Sequence, residues 1–190
     1  LHYPLRRQRQ MCIRDRGNHV GTAGFHRAGR RDRGTRHGNA GEGMSAARLV
    51  ATGFGLGYIP MAPGTWASLA AVAVGVLIHG LGSFPLLLLA TLAVIAVAWW
   101  SISAALPEMG GGDPSEIVID EVAGQWLALL APSFGFWMMG LDNWRFPYPG
   151  WLGAFLAFRL FDIWKPWLIG RADRRGDAWG VLLDDLLAGI

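Results

Sequence analysis

Carboxylates set inside apolar runs constrain this chain more than any other feature. The stretch Ile117-Val118-Ile119-Asp120-Glu121-Val122-Ala123-Gly124-Gln125-Trp126 places two adjacent acids in an otherwise apolar helical run. An ionised carboxylate taken out of water without a partner normally gives up its charge instead. Acids persist in such a place when a metal ion or a basic group compensates them. Two further clusters repeat the pattern: Arg159-Leu160-Phe161-Asp162-Ile163-Trp164-Lys165-Pro166 and Leu183-Asp184-Asp185-Leu186-Leu187-Ala188-Gly189. A fold that suits this sequence has to bring the three clusters to a common place.

The spacing of apolar residues predicts helices. Leu69 to Leu81 is rich in Ala and Val, and Gly80-Leu81-Gly82-Ser83 reads as a charge-free turn. Phe84 to Leu106 is a second apolar run without charges, long enough to span a bilayer. His79 between them reads as a helix-end or interfacial histidine. A glycine run with Asp113 and Ser115 as cap candidates precedes a helix from about Glu116 to Leu130. On it Glu121 and Gln125 share a face, and Gly124 permits close approach of another backbone. Residues 132–149 read as a loop region. A helix from about Trp151 to Lys165 ends at Pro166. Residues 171–180 read as a polar loop, and a last helix starts near Val181. The expectation is an all-α fold, a compact bundle of about five to six helices, several of them apolar enough to be membrane-embedded.

If the apolar runs cross a membrane alternately, every unusual charge falls at one level. Asp120 and Glu121 start the third run, Asp162 and Lys165 end the fourth, and Asp184 and Asp185 start the fifth. Arg48, Arg171, Arg174 and Arg175 lie on that side, and Arg145 on the other. The positive-inside rule makes the charged level cytoplasmic.

Net charge misleads here. Residues 1–43 hold ten of the arginines, while residues 44–190 carry a net charge of −4. The body therefore offers no basis for a nucleic-acid partner. The first segment has no apolar periodicity and reads as a disordered basic arm. It opens with Leu, and Met11-Cys12-Ile13-Arg14-Asp15-Arg16 resembles translated sequencing-adapter read-through. Met44-Ser45-Ala46 reads as the native start, so the arm is set aside from the fold. The chain is also expected to be truncated soon after Ala188-Gly189. Cys12 is the only cysteine, which excludes an intrachain disulfide and any metal site built on several thiolates. Nothing in the sequence sets an oligomeric state.

The chemistry that fits is metal-assisted phosphoryl transfer. Several carboxylates on one level suit Mg²⁺, which binds through carboxylates, waters and phosphates. Arg159 and Lys165 suit phosphate oxygens. The loop Gly53-Phe54-Gly55-Leu56-Gly57-Tyr58-Ile59-Pro60-Met61-Ala62-Pro63-Gly64-Thr65-Trp66 can bring backbone N–H groups to an anion at a helix start, with Thr65 or Ser68 as N-cap. A plain helix-entry turn, and a local Arg159–Asp162 ion pair, are the competing readings of these features.

At these residues the chain resembles the phosphatidylglycerophosphatase A family. The resemblance rests on an ordered set. It comprises Gly53-Phe54-Gly55 with Gly57, Pro63-Gly64-Thr65 with Ser68-Leu69-Ala70, Asp120-Glu121 with Gly124, and Phe158-Arg159 with Asp162 and Lys165-Pro166-Trp167. Asp173-Arg174, Gly180 with Asp184-Asp185, and Ala188-Gly189 complete it. It implies Mg²⁺-dependent hydrolysis of phosphatidylglycerophosphate to phosphatidylglycerol and phosphate at the cytoplasmic face of the bacterial inner membrane. Asp120, Glu121, Asp162, Asp184 and Asp185 are then the candidate metal ligands or general base. Arg159, Lys165, Thr65 and Arg174 are the candidate substrate-binding residues, with Arg159 and Lys165 on the phosphate. One departure stands out: Asp177-Ala178 occupies the place of the family's usual Gly-Gly pair. The rival reading from another class is a non-catalytic membrane transporter or scaffold whose buried carboxylates carry ions or protons.

Overall fold

The structure, a computed structural model, describes residues 44–111, 114–145 and 148–190, with the backbone alone for Asp173. The arm read over residues 1–43 and the cap candidate Asp113 lie outside the described residues. The described residues form α1 (Ala46–Ala51), α2 (Pro63–Ala105), α3 (Ile119–Met138), α4 (Tyr148–Trp164), α5 (Leu168–Asp173) and α6 (Ala178–Ala188), with no strand among them. The all-helical expectation holds.

α2 is one helix in name and two in path. Gly82 (φ −151°, ψ 18°) and Ser83 (φ 57°, ψ −157°) leave helical backbone, as the charge-free turn there predicts. Contacts on either side show that the chain reverses. Along the first arm, residues 63–81, the Ala71 carbonyl accepts from Trp126 Nε1 at 2.8 Å, and His79 Nδ1 lies 2.7 Å from Ser133 Oγ. That arm therefore runs parallel to α3. Along the second arm, residues 84–105, Phe84 packs on Phe134 and Trp137, Leu87 joins Leu129, and Ile102 joins Ile119. The second arm thus runs antiparallel to α3. At 1.5 Å per residue the arms are about 28 and 33 Å long, close to the roughly 30 Å hydrocarbon core of a bilayer. Within α2 an 18-residue window has mean hydropathy 2.3 and is only 22% buried, so its apolar side chains face outward. By length and apolarity α2 alone among the described helices can cross a membrane.

α4 returns along α3. Trp151 and Phe155 pack with Leu129, Phe158 reaches Gly124, and Arg159 reaches Glu121. α6 closes the other side, with Leu182 in the core beside Ala98 and Ile102. Small residues let these helices approach. A methyl on Gly124 would stand 2.5 Å from the Asp185 carbonyl oxygen, and one on Gly75 2.7 Å from Leu129 Cδ1.

Several boundaries differ from expectation. α2 starts at Pro63, with Ala62 at its N-cap in the left-handed region (φ 50°), so neither Thr65 nor Ser68 caps it. Proline fits a first helical turn because that N–H has no partner to lose. α3 runs through Pro132 to Met138 where a loop was expected. Packing of Ser133 on His79 and of Phe136 on the core around Leu129 outweighs the lost backbone bond. Val118, not Ser115, sits at the N-cap of α3. The first residues of the expected polar loop, 171–173, belong to the short helix α5, and α6 begins at Ala178 because Asp177 accepts from the Gly180 N–H at 2.8 Å.

Gly75→Val should separate the first arm of α2 from α3. We expect a loss of about 1–3 kcal/mol, read as a fall in the thermal midpoint of roughly 2–10 °C in detergent. An unchanged midpoint would mean that the arms do not pack as described.

Candidate active site

The three acidic clusters meet. A cleft of about 260 Å³ is lined by Asp120, Glu121, Arg159, Asp162, Lys165, Asp184 and Asp185. Pro63-Gly64 at the start of α2 and Pro114-Ser115 before α3 complete its wall. α3 contributes its acids from the first turn, where a helix favours negative charge. α4 delivers Arg159 and Asp162 from its last turns. Lys165 follows directly, in left-handed backbone (φ 45°), a conformation that costs energy for a residue with a side chain.

Two cations organise the acids. Arg159 Nη1 contacts Asp162 Oδ2, its neighbour one turn along, and lies 3.5 Å from Glu121 Oε1 across the helix interface. Arg159 Nη2 reaches Thr65 Oγ1 at 3.4 Å. The local ion pair and the long-range contact therefore coexist. Lys165 Nζ donates to Asp184 Oδ2 at 2.8 Å. Asp120 Oδ1 accepts from the Glu121 N–H at 2.9 Å, and Asp184 Oδ1 from the Asp185 N–H at 3.0 Å. Asp185 is in no ion pair among the described residues.

Burial leaves its mark on two of these groups. Desolvation pushes the Glu121 carboxyl up to about 7, against the pull of Arg159. Asp185 is raised well above the usual carboxylate range, first by burial and then by the charge of Asp120, with Asp162, Asp184 and Glu121 adding less. Strongly perturbed carboxyls gathered in a cleft with specific charge partners are a signature of functional sites.

Arg174 is the fourth substrate-binding candidate. The structure leaves it exposed at the end of α5, outside the cleft lining. Thr65 is off the lining as well, but it touches Arg159. Sequence reasoning missed why Gly64 is glycine. A methyl there would fall 1.7 Å from Glu121 Oε1, so the carboxylate rests directly against the α2 backbone. It also missed the layer beneath. Ser68 Oγ and both amide atoms of Gln125 are buried without a hydrogen-bond partner, although the shared face of Glu121 and Gln125 pointed there.

The donor set is all oxygen, which suits a hard cation such as Mg²⁺. Glu121 Oε2 is buried without a hydrogen-bond partner. No three of the acids among the described residues form a ready-made metal cage. Mg²⁺ does not require one, since it commonly binds through one or two carboxylates together with substrate phosphates. The residues present fit it on those terms.

A sequence model described as phosphatidylglycerophosphatase A matches residues 49–190. The chain belongs to the phosphatidylglycerophosphatase A family. Family members named phosphatidylglycerophosphatase A from Escherichia coli and Haemophilus influenzae are each 34% identical to it. The first match covers 75% of this chain and 76% of the relative, the second 77% and 84%. A Bacteroides thetaiotaomicron protein provisionally named phosphatidylinositol-3-phosphatase is 37% identical over 75% of this chain and 86% of its own length. No solved structure matches. Membership makes the chain a lipid phosphatase and the cleft its candidate active site.

The raised Glu121 carboxyl has a stability consequence in metal-free buffer. Below its ordinary value of 4.5, folded and unfolded chains both hold the proton. Between 4.5 and about 7 the unfolded chain has released it and the folded chain has not, so stability falls as pH rises through that window. Thermal midpoints measured in chelator across this range should fall more steeply for the unsubstituted protein than for Glu121→Gln. Equal slopes would show that Glu121 is not the buried acid described.

Proposed function

We propose that this protein hydrolyses the phosphomonoester of phosphatidylglycerophosphate, giving phosphatidylglycerol and inorganic phosphate with Mg²⁺, within phospholipid biosynthesis. The observation that carries the reading is the convergence of Asp120, Glu121, Asp162, Asp184 and Asp185 with Arg159 and Lys165 in one cleft. The names of the two phosphatidylglycerophosphatase A relatives favour this substrate. The Bacteroides relative's name points to another phosphomonoester on a lipid, so the class of bond is the firmer part of the assignment.

Roles follow from charge and burial. Arg159 and Lys165 present N–H donors to the phosphoryl oxygens, and Thr65 steadies the guanidinium. Asp120 and Asp185, both buried in the cleft lining, are oxygen donors that could hold Mg²⁺. Glu121, Asp162 and Asp184 are the further oxygen donors. Once bound, the cation supplies Lewis-acid polarisation and charge neutralisation at the transferring group. In hydrolysis the oxygen of water becomes bonded to phosphorus, the bond to the glycerol oxygen breaks, and that oxygen acquires a proton. Burial raises the Glu121 carboxyl in the metal-free cleft, and a bound cation beside it would pull it down again, so it serves here as an oxygen donor.

We read the two arms of α2 as membrane-embedded, and their length and outward apolar faces support this reading. Arg145 stands at the far end, beside Trp144, which packs on Gly80. Arg48, Arg171, Arg174 and Arg175 belong to the segments at the cleft end. That asymmetry favours a cleft facing the cytoplasm, and in a bacterium the membrane is the inner one.

Phosphate release from phosphatidylglycerophosphate, with Mg²⁺ and with chelator, tests the reading. Release should require Mg²⁺, and Asp120→Asn and Asp185→Asn should each lower kcat at least 100-fold. Release that survives chelation would remove the metal, and full activity in both variants would remove the site. No release from folded, membrane-inserted protein would favour the ion-carrying alternative.

Gly64→Ala adds a single methyl where the Glu121 carboxylate lies. It should lower kcat at least tenfold while the thermal midpoint moves by only a few degrees. Unchanged kcat would mean that Glu121 has no fixed place in the reaction.

A further inference from the structure

A second cavity adjoins the cleft. It has a volume of about 770 Å³, within the range of small-molecule pockets at about 300–1,000 Å³. Phe161, Trp164, Trp167, Leu187 and Ile190 line it, so its walls are apolar. Lys165 is the one residue that lines both this groove and the acidic cleft. Its ammonium reaches toward Asp184 on the polar side, while its neighbours Trp164 and Trp167 stand on the other.

The groove is unusual for a surface facing only water. Trp164 is 68% exposed and Trp167 is 92% exposed, with Ile163, Leu168 and Leu160 exposed beside them. Apolar patches of this kind mark interaction surfaces, and tryptophan favours the boundary between water and lipid. The backbone holds them there against local strain, since Lys165 (φ 45°) and Trp167 (φ 38°) both adopt left-handed conformations around Pro166. A polar cleft that shares one lysine with an apolar groove has the layout of a site for an amphiphile.

We propose that this groove holds the acyl chains of the lipid whose phosphomonoester enters the cleft. The inference rests on the lipid-phosphatase reading and deepens it. Phosphatidylglycerophosphate carries a phosphodiester between its glycerol headgroup and its diacylglycerol. With the monoester in the cleft and the chains in the groove, that diester passes Lys165. The occupant is the substrate's own diacylglycerol, so the groove sets a preference for chain length and excludes water-soluble phosphomonoesters from efficient turnover.

Two measurements test this. First, kcat/KM is determined for phosphatidylglycerophosphates bearing dibutyryl and dioctanoyl chains, both below their critical micelle concentrations. A fully buried methylene contributes a factor of about four in affinity, so burial of two suffices for a tenfold gain. We expect at least a tenfold preference for the longer chains. Leu187→Trp, which fills the groove, should cut the preference to less than threefold, and Trp164→Ala, at an exposed position, should reduce it as well. Second, the full chain in vesicles of phosphatidylglycerol with a diazirine in one acyl chain should crosslink at residues 161–168 and 187–190. A flat chain-length response, or a preference that survives both variants, would overturn the proposal. So would crosslinks confined to the outward faces of α2. If no lipid of any chain length releases phosphate, the phosphatase reading fails, and the crosslinking pattern decides the groove without it.

Discussion

The structure turns on neutralising charge in a cleft whose acids are largely buried. Five carboxylates and two cations line it, so the full set cannot ionise without further compensation. Arg159 answers part of the problem by standing between Glu121 and Asp162, and Lys165 by holding Asp184. The residue is visible in the raised carboxyls of Glu121 and Asp185. An apolar isostere for each acid would remove this cost, and buried ion pairs are often no more stable than such replacements. The arrangement is therefore poor as a stability device and well suited to binding a divalent cation with a phosphate.

Close backbone packing makes that concentration of charge geometrically possible. Three helices and the start of a fourth meet where side chains would keep them apart. Gly64 admits the Glu121 carboxylate, Gly124 admits Phe158 and the Asp185 carbonyl, and Gly189 packs on the Gly124 carbonyl. The hairpin in α2 has a related role. By reversing at Gly82–Ser83 it flanks α3 on two sides with apolar helix, so the acids at the first turn of α3 lie at one end of an apolar stack. Left-handed backbone at Ala62 and Lys165 sits at the rim of the same cleft, which places local strain beside the chemistry.

Much of this was legible in the sequence, for physical reasons that differ by element. The reversal at Gly80–Ser83 was readable because two charge-free runs met at a turn of small residues. The end of α4 was readable because Pro166 restricts the residue before it. The meeting of Asp120, Asp162 and Asp184 followed from alternating the direction of successive helices. The continuation of α3 through Pro132 was not readable, because local propensity argued for a break and only packing on His79 and the Leu129 core reversed it. Arg174 is placed differently. It stood next to residues of the right kind in the sequence, but a short helix with its own orientation carries it to the surface. Motif adjacency reports neighbourhood along the chain, whereas a side chain's direction depends on the turn that precedes it.

Asp177-Ala178, where the resemblance leads one to expect a glycine pair, fixes a helix start through a side chain. A glycine pair before α6 would leave the helix start free to choose among many backbone states. Asp177 instead accepts from the Gly180 N–H and pairs with Arg175 at 2.9 Å, which fixes where α6 begins. Asp184 follows seven residues on, two helical turns later, so fixing the start also fixes the face on which Asp184 emerges. Asp184 meets Lys165, and the next residue, Asp185, packs its backbone on Gly124. A capped start thus adds a hydrogen bond to what the buried Val181, Leu182 and Ala188 already do: it helps to set the rotation of a short helix that carries the acid pair.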